Sequence, residues 1–209
     1  MPAYDAVMFD LLTALLDSWS LWNRVAGSAD DGQRWRRAYL RITYETGAYR
    51  PYGDLVAEAA EQAGLDRKLA DALDARYAEL QPWPDVTSTL RRLAEAGLPL
   101  GVATNCSHRL GLIAAERVGV PFATVVTAEE AGVYKPDPRP YRLALDKLGV
   151  APERCLFVAG SAYDLIGTAA VGMPTYWHDR IGMDMPPGIV PPLAHERSLR
   201  RLPEYCGLA

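Results

Sequence analysis

The chain has 209 residues, 49% of them hydrophobic, and a formal net charge of −4. That is enough apolar material for a sizeable core, and the acidic balance argues against a nucleic-acid-binding surface. The three cysteines, Cys106, Cys155 and Cys206, are too few and too scattered for a disulfide framework or a zinc site, and no apolar run is long enough to span a bilayer.

Residues Tyr4 to Phe9 predict a buried strand that ends on Asp10. A carboxylate at the tip of a buried strand is costly unless it is used. From Leu15 to about Ala78 the pattern is helical: Trp35, Tyr39, Ile42 and Thr43 recur at helical spacing, as do Leu55, Ala59 and Gln62. Beyond Val86 helices and strands alternate. Ser88–Ala96 reads as a helix, Leu98–Thr104 as a strand, Arg109–Val118 as a helix and Ala123–Thr127 as a strand. Pro140–Leu148 follows as a helix, Cys155–Ala159 as a strand, Asp164–Val171 as a helix closed by Gly172, and Thr175–Trp177 as a short strand. The stretch Pro186–Pro192 reads as a turn-rich connection to a last amphipathic segment, His195–Tyr205.

Alternation of this kind implies right-handed crossovers and a parallel sheet. The expectation is therefore an α/β fold: a Rossmann-like core of residues 1–14 and 82–209, with a small helical cap, 15–81, inserted after the first strand. In such sheets ligands bind beyond the carboxyl ends of the strands. Asp10, Thr104-Asn105 and the segment Ser161–Asp164 all lie just past strand ends, so they should converge.

These residues resemble the motifs of the haloacid dehalogenase superfamily. Phe9-Asp10-Leu11-Leu12-Thr13-Ala14-Leu15 is similar to its first motif and Ala103-Thr104-Asn105 to its second. Tyr134-Lys135-Pro136-Asp137-Pro138 is similar to the third, and Phe157 to Asp164 to the fourth. The resemblance covers nearly the whole chain. Most members are metal-dependent phosphatases, and two features of this chain depart from them. Leu12 stands where they have a second acid, and Gly160 where they usually have an aspartate. Magnesium wants hard oxygen ligands in a near-octahedral array, so the resemblance points instead to the metal-independent 2-haloacid dehalogenases. The segment Gln33–Leu40 is similar to the Trp-Arg segment of their cap.

That resemblance implies an aspartate nucleophile, Asp10, which displaces a leaving group to form an ester that water then hydrolyses. Halide needs no proton to depart, so Leu12 is no obstacle. Lys135, one of only three lysines, would hold Asp10 ionised. Asp164 would pair with Lys135 and help deprotonate the water, with Ser161 as a further catalytic candidate. The amides of Leu11 and Leu12, together with Thr104, Asn105 and the cap residue Arg36, would bind the substrate carboxylate and the halide. Ala159 and Ser161 stand where these dehalogenases have serine and asparagine, which leaves the placement of the water open. Trp22, Trp35, Tyr39 and Tyr44 read as cap core, and His108, His178 and His195 as structural or exposed.

The expected partner is a small carboxylate, with no nucleic acid, membrane, metal or cofactor, in a reducing cytoplasm because the N-terminus lacks a signal-peptide pattern. Self-association into a homodimer is left open. Three other readings compete. The same attack could open a strained carboxylated ring if a cap acid such as Asp17 supplies a proton. The chain could also be a phosphatase, or a non-catalytic binding member of the fold.

Overall fold

The computed structural model describes residues 2–185 and 187–208; Met1, Pro186 and Ala209, termini or part of the expected turn-rich connection, lie outside the described residues. Six parallel strands form one sheet in the order β3-β2-β1-β4-β5-β6. They are β1 (Ala6–Phe9), β2 (Leu100–Thr104), β3 (Thr124–Thr127), β4 (Cys155–Ala159), β5 (Thr175–His178) and β6 (Ala194–Glu196). The central strands are buried on both faces, and their side chains alternate between two apolar clusters. Val7, Phe9, Leu156 and Val158 point to one face, and Ala6, Met8, Phe157 and Ala159 to the other. That is the period of two that a sheet covered by helices on both sides requires.

Four helices, α1 (Ser18–Ala26), α2 (Ala29–Thr46), α3 (Tyr52–Gln62) and α4 (Leu69–Ala75), are inserted after β1 and before α5 (Val86–Glu95). The remaining helices are α6 (His108–Arg117), α7 (Ala128–Ala131), α8 (Pro138–Leu148), α9 (Asp164–Val171) and α10 (Leu202–Tyr205). Local sequence explains their ends. Ser28 caps α2 by accepting from the Asp31 amide, and Asp137 caps α8 just before Pro138. Gly149 then ends α8 in the left-handed conformation that a side chain would strain.

The inserted helices leave and rejoin the sheet through a narrow neck. Leu16 and Pro82 form an antiparallel bridge, Asp17 N donates to Gln81 O at 2.8 Å, and Trp83 N donates to Leu15 O at 3.0 Å. At this neck we propose to divide core from cap.

The C-terminal reading needs correction. His195–Tyr205 is not one amphipathic segment: Ala194–Glu196 adds a sixth strand beside β5, and only Leu202–Tyr205 is helical. Edge pairing satisfies the backbone of three residues too few to show a periodicity. The first strand also begins later than expected, at Ala6.

Candidate active site

Asp10 follows β1 directly, and its amide donates to Val158 O of β4 at 2.9 Å, so sheet register fixes where its side chain starts. The chain then turns back on the carboxylate. The amides of Thr13 and Ala14 both donate to Asp10 Oδ2, each at 3.2 Å. Three successive carbonyls of this turn are held from outside. Leu12 O accepts from Ser18 Oγ, Thr13 O from Trp83 Nε1 at 2.9 Å, and Ala14 O pairs with His178 Nδ1 at 2.7 Å. Because a carbonyl only accepts, His178 Nδ1 carries the proton. Burial holds the His178 pKa below its ordinary value, so the ring is neutral. The loop after Asp10 is thus fixed by side chains from α1, the neck and β5.

Gly160 presses on the same turn. A Cβ there would lie 2.3 Å from Ala14 N and 2.7 Å from Asp10 Oδ2. Position 160 is therefore closed to any side chain, including the aspartate that the phosphatases carry.

Lys135 reaches Asp10 from between α7 and α8. Its main chain is clamped by one residue: Lys135 N donates to Asn105 Oδ1 at 2.7 Å, and Asn105 Nδ2 donates to Lys135 O at 3.1 Å. The Asn105 side chain, read from sequence as a substrate ligand, is thus occupied in placing the lysine. Lys135 Nζ stands 2.9 Å from Asp10 Oδ1 and 2.8 Å from Asp164 Oδ1, and all three groups are buried. Asp164 opens α9 and also accepts from Tyr141 OH at 2.8 Å, again on Oδ1.

Burial alone would raise both carboxylates, but their surroundings separate them. At Asp10 the burial penalty is outweighed by the Lys135 charge and hydrogen bond and by the amides of Ala14 and Thr13, so its pKa lies below the usual range. At Asp164 burial prevails over Lys135, with help from the Asp10 charge, and its pKa is raised. Burial pulls Lys135 down, yet the two carboxylates outweigh it and hold the ammonium charged. Two acids pushed apart in this way suit different roles.

A cavity of about 30 Å³ opens over the triad. Asp10, Lys135, Asp164 and Ser161 line it from the core, with Leu12, Thr13, Thr104 and Asn105 at the strand ends. Arg36, Tyr39, Leu40 and Tyr44 of α2 close it from above. All the residues expected from sequence meet here except Leu11, whose side chain is wholly buried in the apolar core and which could contribute only its main chain. Arg36 is buried, and its Nε and Nη1 atoms have no hydrogen-bond partner among the described residues. It lies over the rings of Trp22 at 5.0 Å, Tyr39 at 5.1 Å and Trp19 at 5.8 Å. Aromatic faces relieve part of the cost of that charge, and an anion in the cavity would relieve more.

Sequence reasoning missed several members. Tyr39 and Tyr44, read as cap core, also line the cavity; Tyr39 OH donates to Asn105 O at 2.7 Å and Tyr44 OH meets Ser161 Oγ at 2.9 Å. The i, i+4, i+8 spacing of Arg36, Leu40 and Tyr44 was the available signal, since those positions share a helix face. Nothing local marked Ser18, Trp83 or His178. Asp17 does not line the cavity: it caps α1, accepting from Ser20 N at 3.0 Å and Ser20 Oγ at 2.6 Å. The ring-opening reading therefore lacks the acid it invoked. Among the described residues no group of three or more His, Cys, Asp or Glu side chains could hold a metal ion.

The family model for haloacid dehalogenase-like hydrolases matches residues 5–172. The chain is similar to (S)-2-haloacid dehalogenase H-109 of Pseudomonas putida, 31% identical over 199 residues that cover 87% of this chain and 88% of that one. It is also similar to (S)-2-haloacid dehalogenase 4A of Burkholderia cepacia, 32% identical over 207 residues, covering 91% and 89%. A crystal structure of an L-2-haloacid dehalogenase superposes with a TM-score of 0.85 at 26% identity, covering 98% of this chain and 99% of that one.

Proposed function

The chain belongs to the haloacid dehalogenase-like hydrolases, and from that membership and the site we propose that it is a hydrolase that displaces halide from small 2-haloacids through an ester on Asp10. One observation carries this reading above the phosphatase alternative. Gly160 and Leu12 occupy the places where a metal-dependent phosphatase keeps carboxylates, and a Cβ at position 160 would lie 2.7 Å from Asp10 Oδ2. The small cavity favours acids of two or three carbons. The names of the relatives favour the (S) enantiomer.

The assignment of roles follows the geometry. Asp10 Oδ2 accepts two amides and lies against Gly160, while Oδ1 accepts from Lys135 Nζ alone among the described residues, so the attack is assigned to Oδ1. Its lone pair displaces halide from C2, and the C–X bonding pair leaves with the halide. Arg36 in its aromatic surround is positioned to receive that anion, while the Leu11 and Leu12 amides and Thr104 take the substrate carboxylate. Water then attacks Cγ of the ester and gives one proton to Asp164. The carbonyl oxygen, Oδ2, becomes an oxyanion stabilised by the Thr13 and Ala14 amides. Collapse breaks the Cγ–Oδ1 bond. Oδ1 leaves with the product as an alkoxide beside Lys135 Nζ and takes the proton back from Asp164, giving the 2-hydroxy acid, while the restored Asp10 loses a proton to solvent.

Halide release is the test. The purified protein is expected to liberate halide from (S)-2-chloropropionate with undiminished rate in a chelator, and to leave the (R) enantiomer and phosphate esters untouched. Turnover of a phosphate ester that requires magnesium, without halide release, would overturn the reading. We place the enzyme in the cytoplasm and expect it to act without a nucleic-acid or membrane partner; a homodimer is the assembly we would test first.

A further inference from the structure

We propose that Tyr44, a cap residue, holds the hydrolytic water together with Ser161; the proposal rests on the dehalogenase reading. The core positions that would otherwise hold the water are altered. Ala159 offers no polar side-chain atom, and Ser161 is shorter than the asparagine expected there. The missing reach comes from the other side of the cavity. Tyr44 OH and Ser161 Oγ lie 2.9 Å apart, and both line the cavity that contains Asp10 and Asp164.

The pair is rigid. The Tyr44 ring stacks on Tyr163 with centroids 4.0 Å apart, and Tyr163 N donates to Ser161 Oγ at 3.2 Å. Two hydroxyls that share one hydrogen bond retain one O–H and further lone pairs for a guest. A water seated on them can give one proton to a hydroxyl oxygen and the other to Asp164, leaving a lone pair for the ester carbon. Burial, reinforced by the Asp164 charge, keeps the Tyr44 hydroxyl protonated, so the pair adds no charge to the site. The phenol binds the reacting water and neither attacks nor accepts a proton permanently. Because it belongs to the cap, the water site is complete only while cap and core are together.

Tyr44→Phe separates this role from packing, since it keeps the stacked ring and removes one oxygen. With (S)-2-chloropropionate the variant is expected to release one halide per site at the rate of the unsubstituted protein. It should then turn over about 10²-fold more slowly and accumulate an ester on Asp10 visible by intact mass. Adding Ser161→Asn, which restores a longer polar side chain, is expected to recover turnover. A Tyr44→Phe variant with no accumulated ester, whether because turnover is normal or because halide release is the slowed step, would overturn the proposal. If the unsubstituted protein released no halide, the dehalogenase reading itself would fall.

Discussion

Asp10→Asn is expected to abolish turnover of 2-haloacids, by roughly 10⁵–10⁶-fold, the scale on which loss of a covalent nucleophile is felt. The amide matches the carboxylate in shape, so the turn at Thr13 and Ala14 can keep its hydrogen bonds to the side-chain oxygen. What disappears is the charged lone pair on Oδ1. Folding should survive, because Lys135 retains Asp164 as a partner at 2.8 Å and is not left as an isolated buried charge. Stopped-flow halide detection and thermal unfolding together check the outcome. Unimpaired turnover in a folded variant would remove Asp10 from the mechanism.

Lys135→Met should come next in severity, with a loss of about 10²–10³-fold, and its pH dependence is the more telling readout. In the intact protein the lysine outweighs the burial penalty on Asp10 and holds its pKa below the ordinary range. Without it, only the amides of Ala14 and Thr13 still oppose burial, and the folded-state pKa rises. Asp10 must be ionised to attack, so the acid limb of the alkylation step moves to higher pH and residual activity grows as pH rises. The two carboxylates also then face each other without a cation, which pushes Asp164 the same way. A near-normal rate, or an acid limb that does not move, would discredit the lysine's role.

Much of this site was legible in the sequence because it is carried by residues at strand ends. Parallel strands deliver such residues to one edge, so Asp10, Thr104, Ser161 and Asp164 could be brought together from chain order alone, while Lys135, which lies beyond α7, was placed by the family resemblance. Their individual duties were less accessible. Asn105 looks like a ligand from its residue type, but its amide is spent on the lysine backbone. Gly160 looks like a lost acid, and the physical reason is its close approach to the loop Asp10–Ala14.

The unread remainder is long-range. Ser18, Trp83 and His178 clamp three neighbouring carbonyls from three separate elements, and no local pattern predicts that. Tyr44 sits at helical spacing from Arg36 and Leu40, but aromatic residues in a cap so often pack inward that its hydroxyl was assigned no task. Trp22, Trp35 and Tyr39 did pack inward, and Trp22 and Tyr39, with Trp19, form the aromatic surround of Arg36. The edge strand Ala194–Glu196 escaped because three residues carry no periodicity, and its pairing with β5 supplies the order.

The central claim is that the Asp10 carboxylate forms the bond to carbon and that water attacks the resulting ester, not the substrate. Single-turnover reaction with enzyme in excess over (S)-2-chloropropionate, run in heavy-oxygen water, tests this directly. The account predicts that the heavy isotope enters the peptide containing Asp10 while the product hydroxyl keeps the light oxygen the aspartate gave it. Heavy oxygen found in the first product molecules, with Asp10 unlabelled, would contradict it.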